Sequence, residues 1–266
     1  MKKISHPGDN METKTCRSAS FKAFMATQFL GAFNDNAFKI IFSLFALRVF
    51  SDPAVHAKFM SIISALFIVP FIVFSTYAGQ LADRFPKRNI IVVMKAWEIV
   101  IMILGLFSFI SGQLFWMCAV LFLMTAQSAF FSPAKYGIMP EMLDEKELSK
   151  GNGFLNMFTF MAIILGTATA GQIMSRLGGN IFATSPFLIG IAVLGFVTSL
   201  FIRKTDAVLN QERFEANFAK NLKYYFSRIR QDQALFLALL GIGYFWFLGS
   251  VFQMNVLMYG HNVLGL

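Results

Sequence analysis

The sequence predicts an all-α integral membrane protein of seven spans with its N-terminus in the cytoplasm, and three observations predict it. Hydrophobic residues make up 56% of the chain and charged residues only 14%, against about a quarter charged in ordinary soluble domains. Apolar runs close to the roughly 20 residues that cross a hydrocarbon core about 30 Å thick recur at residues 21–50, 59–79, 90–110, 114–131, 154–174, 181–202 and 234–259. The cations gather in alternate connections between those runs. In lipid every backbone N–H and C=O needs a partner within its own segment or in a closed barrel. The runs are too long and too evenly apolar for the alternating strands of a barrel, so each is read as a helix.

Residues 1–20 form a polar tail. The first apolar run is too long for a signal peptide and lacks a small-residue cleavage site, so it is read as a permanent span. Basic residues stand before span 1 (Lys2, Lys3, Lys14, Arg17, Lys22) and between spans 2 and 3 (Arg84, Lys87, Arg88). They return between spans 4 and 5 (Lys135, Lys146, Lys150) and between spans 6 and 7 (Arg203, Lys204, Arg213, Lys220, Lys223, Arg228, Arg230). The other connections hold little beyond Lys58 and Arg176. This asymmetry puts the N-terminus and the segment after span 6 in the cytoplasm and leaves the C-terminus outside. The net charge of +9 is therefore a topology signal, and nucleic acid is not an expected partner.

Residues 21–202 read as a six-span bundle, 203–233 as a cytoplasmic linker, and 234–266 as a seventh span that starts a second, incomplete bundle. In the linker Phe214, Phe218, Leu222 and Phe226 recur at three-to-four spacing. That spacing fits an amphipathic helix on the membrane surface and, equally, a solvated connector. Phe29-Leu30-Gly31-Ala32 in span 1 is echoed by Phe247-Leu248-Gly249-Ser250 in span 7, a pattern expected of a parallel repeat.

Candidate functional residues are the polar ones at membrane depth. Asn34, Asp35, Asn36 and Lys39 lie near the middle of span 1, where one charge costs at least about 2.5–3.5 kcal/mol. Asp35 and Lys39 are four apart in the favourable acid-first order for a helical pair. They read either as an internally neutralised packing pair or as the wall of a cavity that meets substrate or ion. Lys95 and Glu98, three apart in span 3, are a second candidate pair, divided between an interface anchor and a cavity role. Gly166, Ala170 and Gly171 fit close helix packing. Cys16 and Cys118 form no framework for a disulfide or zinc site, and no cofactor is expected.

Gly79-Gln80-Leu81-Ala82-Asp83-Arg84-Phe85-Pro86-Lys87-Arg88 stands between spans 2 and 3. It resembles the signature loop of the major facilitator superfamily, with Pro86 in place of the usual Gly and Arg88 in place of the usual Lys. Gly79 is expected to permit close helix approach. Asp83 is expected to meet a helix N-terminus or a basic partner and so latch the two bundles on the cytoplasmic side, with Gly79, Asp83, Arg84 and Arg88 together forming a conformational gating motif.

The resemblance narrows through Gln28-Phe29-Leu30-Gly31-Ala32-Phe33-Asn34-Asp35-Asn36-Ala37, through Phe131-Ser132-Pro133-Ala134-Lys135-Tyr136-Gly137-Ile138-Met139-Pro140-Glu141 after span 4, and through Gly151-Asn152-Gly153. Together these look like the lysophospholipid transporter family of bacterial inner membranes, some members of which are fused to acyltransferase and acyl-ligase domains. The resemblance implies a major facilitator six-helix N-terminal bundle. It also implies inward movement of a lysophosphatidylethanolamine-like lipid by alternating access, with an acyltransferase partner or fused domain to reacylate it. It makes Asp35 the site for the ammonium, Lys39 or Lys95 the site for the phosphate, and Pro133, Lys135 and Tyr136 a family motif.

Two other functions stand beside this reading, a major facilitator for another small molecule and a structural, assembly-only membrane protein, and the buried charges argue against the second. The 266 residues also read as an inactive truncated fragment, as the first part of a longer fused protein, or as a half that self-associates. An enzyme is not expected, because none of His6, His56 and His261 has an Asp five positions later, the arrangement that lysophospholipid acyltransferases commonly use. No phosphate-binding loop supports ATP-driven transport either.

Overall fold

The computed structural model describes residues 14–49, 53–176, 181–204, 218–245 and 247–248. Residues 1–13, 50–52, 177–180, 205–217, 246 and 249–266 lie outside the described residues, and with them Phe214 of the linker and Gly249-Ser250 of the repeat echo. Regular structure among the described residues is entirely helical: α1 Ala19–Val49, α2 Pro53–Arg84, α3 Lys87–Ser111, α4 Leu114–Gly137, α5 Met139–Met142, α6 Glu145–Arg176, α7 Ile181–Leu200, α8 Phe218–Gln231 and α9 Gln233–Phe245. The chain divides into two compact units, 1–212 and 213–266, with the division inside the expected linker.

The helices outrun the apolar spans because a polar residue ends a hydropathy run without ending a helix. α2 carries on through Arg84, so Gly79–Arg84 is helical and the expected loop shrinks to Phe85 and Pro86. Pro86, at φ −53° and ψ 121°, is extended, and its carbonyl accepts from the Asn89 and Ile90 amides. A proline there needs no amide donor and presets φ for the chain entering α3. α4 likewise runs on to Gly137, which places Phe131–Gly137 in its last turns instead of after the span. At the other end of α3, Gly112 takes φ 62° and returns its N–H to the Phe109 carbonyl, a left-handed helix stop that glycine adopts without strain.

In the first unit α1 packs between α6 and α7, α3 between α7 and α4, and α2 against α4. The interior is largely aromatic and thioether. Phe38, Phe42, Ile101, Met117, Leu121 and Met124 form one cluster, and Phe21, Phe24, Ile91, Phe131 and Met139 another. Polarity is inverted relative to a water-soluble protein. Large apolar side chains such as Ile72, Phe107, Phe115, Ile164 and Phe201 point outward, while Thr27, Gln28, Asn34, Lys95, Glu98 and Gln127 are buried. Such a surface is stable in hydrocarbon and aggregation-prone in water.

α3, the α4–α5 stretch Leu114–Met142, and α6 are each long and apolar enough to cross a membrane. Thr184–Leu200 of α7 and Gln233–Phe245 of α9 are shorter apolar helices. α1 has ample length at 31 residues and is diluted by its central polar group.

Close approach of α1 and α6 rests on one glycine. A Cβ at Gly166 would lie 2.6 Å from the Phe33 carbonyl oxygen and 3.2 Å from the Phe33 Cα, and backbone cannot swing aside. Gly166→Ala is expected to destabilise the bundle by about 1–3 kcal/mol, the usual cost of overpacking. Gly171→Ala should be silent, since a Cβ there meets nothing within 4 Å. Thermal unfolding of the two variants in detergent checks the contrast. A Cβ at Gly79 would also meet nothing within 4 Å among the described residues, so the helix contact expected of it is not seen there.

The segment before α1 is tied down. The Cys16 amide donates to the Glu147 carboxylate (2.8 Å) and the Asp144 amide to the Lys14 carbonyl (3.1 Å), and in the first turn of α1 the Ser20 hydroxyl accepts the Arg203 amide (2.9 Å). Burial, reinforced by the Glu147 charge, lifts the Cys16 thiol above its usual range. It therefore packs as an apolar group within the Phe21–Met139 cluster.

Candidate functional site

Successive residues of a helix lie about 100° apart, so Asn34, Asp35 and Asn36 cannot share a face. Asp35 and Asn36 line a cavity of about 180 Å³ whose other walls come from α2, α3, α4 and α6. Asn34 is fully buried and turns to α3, where its Nδ2 donates to Glu98 Oε1 at 3.0 Å. The Asn36 amide donates to the Ala32 carbonyl of its own helix (2.7 Å).

Asp35 takes its hydrogen bond from Ser128 on α4, Oγ to Oδ2 at 2.6 Å. The hydroxyl has one proton and a competing acceptor, Gln127 Oε1 at 3.3 Å, and the shorter contact to the charged oxygen prevails. Lys39 lies one turn further along α1 and is not part of the cavity lining. Asp35 thus has a partner on a second helix, Ser128 of α4.

Lys95 and Glu98 meet across the cavity wall. Lys95 Nζ stands 2.6 Å from Glu98 Oε2, each side chain only 2% exposed, and 5.3 Å from the centre of the Phe131 ring. At that burial Lys95 does not reach an interface, and the pair forms part of the interior. Gly31 makes room for it, since a Cβ at Gly31 would collide with Lys95 Nζ.

Lys135 also lines the cavity, in the last turn of α4. Its ammonium lies 4.7 Å from the centre of the Tyr136 ring, and Tyr136 itself is exposed. Pro133, inside α4, is half-buried and outside the lining.

The cavity therefore gathers two carboxylates and two ammonium groups. Lys95 and Glu98 pair directly, whereas the Asp35 carboxyl is held by Ser128 and the Lys135 amine lies beside the Tyr136 ring, both residues lining the same cavity. At about 180 Å³ it is smaller than the roughly 300–1,000 Å³ of pockets that enclose a drug-sized ligand. It suits a small group of separated opposite charges, with any apolar remainder left outside.

Gln28, Gln127, Ser128, Ser132 and Thr159 complete the polar lining. Gln28 Nε2 donates to Thr159 Oγ1 (3.0 Å) and Gln127 Nε2 to the Met94 carbonyl (3.0 Å). Sequence reasoning passed over these five as site residues, although Ser128, Ser132 and Lys135 recur at four and three, a polar stripe that marks one face of α4.

The signature residues sit apart from the cavity lining. Asp83 is exposed and Arg84 half-buried. Arg88 donates from Nε to the Ile202 carbonyl (3.3 Å) and from Nη2 to the Leu200 carbonyl (3.2 Å). It thereby caps the C-terminal end of α7, where unpaired carbonyls favour a cation. Lys87 pairs with Glu141 at 2.5 Å, and its side chain lies against Gly137, where a Cβ would collide with it. The two basic residues at the start of α3 thus staple α3 to α7 and to α5.

Residues 24–266 match the Major Facilitator Superfamily. The chain is 28% identical over 249 residues to the lysophospholipid transporter LplT of Photorhabdus laumondii subsp. laumondii, an alignment covering 92% of this chain and 58% of that protein. It is 26% identical over 271 residues to the lysophospholipid transporter LplT of Yersinia pestis (strain Pestoides F), covering 97% of this chain and 61% of that protein. The chain spans about three fifths of the length of the curated relatives it matches.

Proposed function

The chain belongs to the major facilitator superfamily, and we propose that its first unit holds the head group of a lysophospholipid during passage across a bacterial inner membrane. The observation that carries the reading is the placement of Asp35 and Lys135 on one cavity too small for a whole lipid, inside a bundle with an apolar exterior. Asp35 receives an ammonium and Lys135 a phosphate, each charge then matched in a site of low dielectric. The acyl chain stays against the Phe-rich and Met-rich helix surfaces. This role needs binding and movement and no covalent step, so the chain acts as a carrier and not as an enzyme. The names of the matched relatives support the lipid class.

Alternating access in this superfamily rocks two six-helix bundles about a midplane site. The unit described for residues 1–212 supplies one such bundle, with the cationic connections facing the cytoplasm by the positive-inside rule. Product handed to that side is suited to an acyltransferase acting in the same membrane.

The phosphate role moves from Lys39 or Lys95 to Lys135. Lys135→Ala is expected to weaken lysophosphatidylethanolamine binding by about 10- to 100-fold, the loss of one charge-assisted contact. Lys39→Ala should change it by less than about threefold, since Lys39 lies outside the cavity lining. Binding of labelled lipid to the purified chain in nanodiscs measures both. Equal losses in the two variants would remove the assignment.

Uptake of labelled lysophosphatidylethanolamine into spheroplasts without their own transporter tests the function itself. The cavity volume also favours a small free zwitterion. Competition by phosphoethanolamine as strong as that by the lysolipid would select that second reading, and a lysolipid advantage of tenfold or more would reject it.

A further inference from the structure

α8 belongs to the second unit and carries an unusual charge pattern. Its 14 residues include Lys220, Lys223, Arg228 and Arg230 and no acid. At 100° per residue Phe218, Leu222, Tyr225 and Ile229 share one stripe, and the four cations occupy the opposite side and its flanks. Lys223, Arg228 and Arg230 are exposed, as are the aromatic rings of Tyr224 and Phe226. The Arg230 guanidinium lies 5.5 Å from the centre of the Phe226 ring, which draws a cation to the border of the apolar stripe.

The junction between α8 and α9 fixes the surroundings of both. The Asp232 amide closes α8 on the Ile229 carbonyl at 3.2 Å. The Asp232 carboxylate then accepts the Leu235 amide at 3.1 Å, and its carbonyl accepts the Phe236 amide at 2.9 Å. An aspartate in that position is a helix N-cap, so one helix stops and a new one, the apolar α9, begins directly. A basic amphipathic helix thus runs directly into an apolar one, an arrangement suited to a membrane–water boundary.

We propose that α8 is a docking surface for anionic phospholipid head groups at that boundary. The aromatic and aliphatic stripe enters the interface, the lysines and arginines extend to the phosphates, and the surface potential of an anionic leaflet holds them there. Phosphatidylglycerol is the chemistry that fits, since it adds a net negative charge that phosphatidylcholine lacks. An acidic protein or nucleic acid would satisfy the cations and leave the apolar stripe in water. The inference needs the chain to be membrane-embedded and is independent of the transported substrate.

Hydrogen–deuterium exchange on the full chain in nanodiscs tests it, comparing phosphatidylcholine alone with an equal mixture of phosphatidylcholine and phosphatidylglycerol. Exchange across Phe218–Gln231 should slow in the mixture, while exchange across α4 stays the same. Replacing Lys220, Lys223, Arg228 and Arg230 by Gln should abolish the difference. Each single replacement should reduce the protection by about fivefold, and added salt should act in the same direction. Identical exchange in the two lipid compositions overturns the proposal. So does slowing that survives the fourfold replacement, because protein packing or simple apolar insertion would then cover the helix.

Discussion

Asp35→Asn is expected to abolish selective binding of ammonium-bearing lysophospholipids while leaving the bundle folded. The substitution keeps the shape of the side chain and a carbonyl oxygen that can still accept the Ser128 hydroxyl, now at 2.6 Å from Asp35 Oδ2. Only the negative charge is lost. A hydrogen bond to a charged group contributes about 1.5–3 kcal/mol, so lysophosphatidylethanolamine binding should fall by about 10- to 100-fold. Lysophosphatidylglycerol, which carries no ammonium, should lose little. Binding of the two lipids to wild-type and variant chains in nanodiscs measures the contrast, with thermal unfolding as the control for folding. A parallel loss for both lipids would show that Asp35 acts on the cavity as a whole and not on the ammonium.

The second large effect concerns the buried pair. Removing the acid by Glu98→Ala leaves the Lys95 ammonium, 2% exposed, with no opposite charge in contact. It also strips the acceptor from Asn34 Nδ2, on a side chain whose Oδ1 already lacks a partner. Breaking a buried ion pair from one side costs about 3–5 kcal/mol, a large part of a typical folding free energy. The double variant Lys95→Met with Glu98→Gln removes both charges and keeps an amide oxygen for Asn34. It should unfold within about 1 kcal/mol of the parent, as buried pairs replaced on both sides commonly do.

Denaturation of the parent, the single variant and the double variant in detergent gives the comparison. If Glu98→Ala proves as stable as the parent, Lys95 has another anchor and the pair is not structural. Lipid binding by the double variant then separates scaffold from ligand contact. Retained binding assigns the pair to the scaffold, and lost binding on an intact fold makes it part of the head-group site.

Much of this arrangement is legible in the sequence because lipid imposes strict rules. An apolar run of membrane length has to be a helix, and the first six such runs are helical over nearly all their described residues, as is the described start of the seventh. A charge in the middle of a span needs compensation, which singles out Asp35, Lys39, Lys95 and Glu98 from the sequence, and of these Asp35, Lys95 and Glu98 line the cavity. The Lys95–Glu98 pair was readable as well, since its partners stand three apart on one helix and no tertiary information is required. The extent of the helices was less readable. Hydropathy registers where polar residues begin, and Gly79–Arg84 and Phe131–Gly137 continue their helices with polar residues in place.

The partners across helices were settled by tertiary structure alone. Asp35 meets Ser128 from 93 positions away, Asn34 meets Glu98, and Arg88 caps α7 through the carbonyls of Leu200 and Ile202. Periodicity fixes which residues share a face of one helix. It does not fix the rotation of that helix against its neighbours, and in a bundle this rotation decides which face meets which. For the same reason Gly166 rather than Gly171 or Gly79 marks the close approach, and Lys135 rather than Lys39 joins Asp35 on the cavity. The sequence by itself determined a helical, lipid-immersed bundle with charge in its interior. The packing of the helices against one another decided which polar groups meet across them and which residues share a cavity.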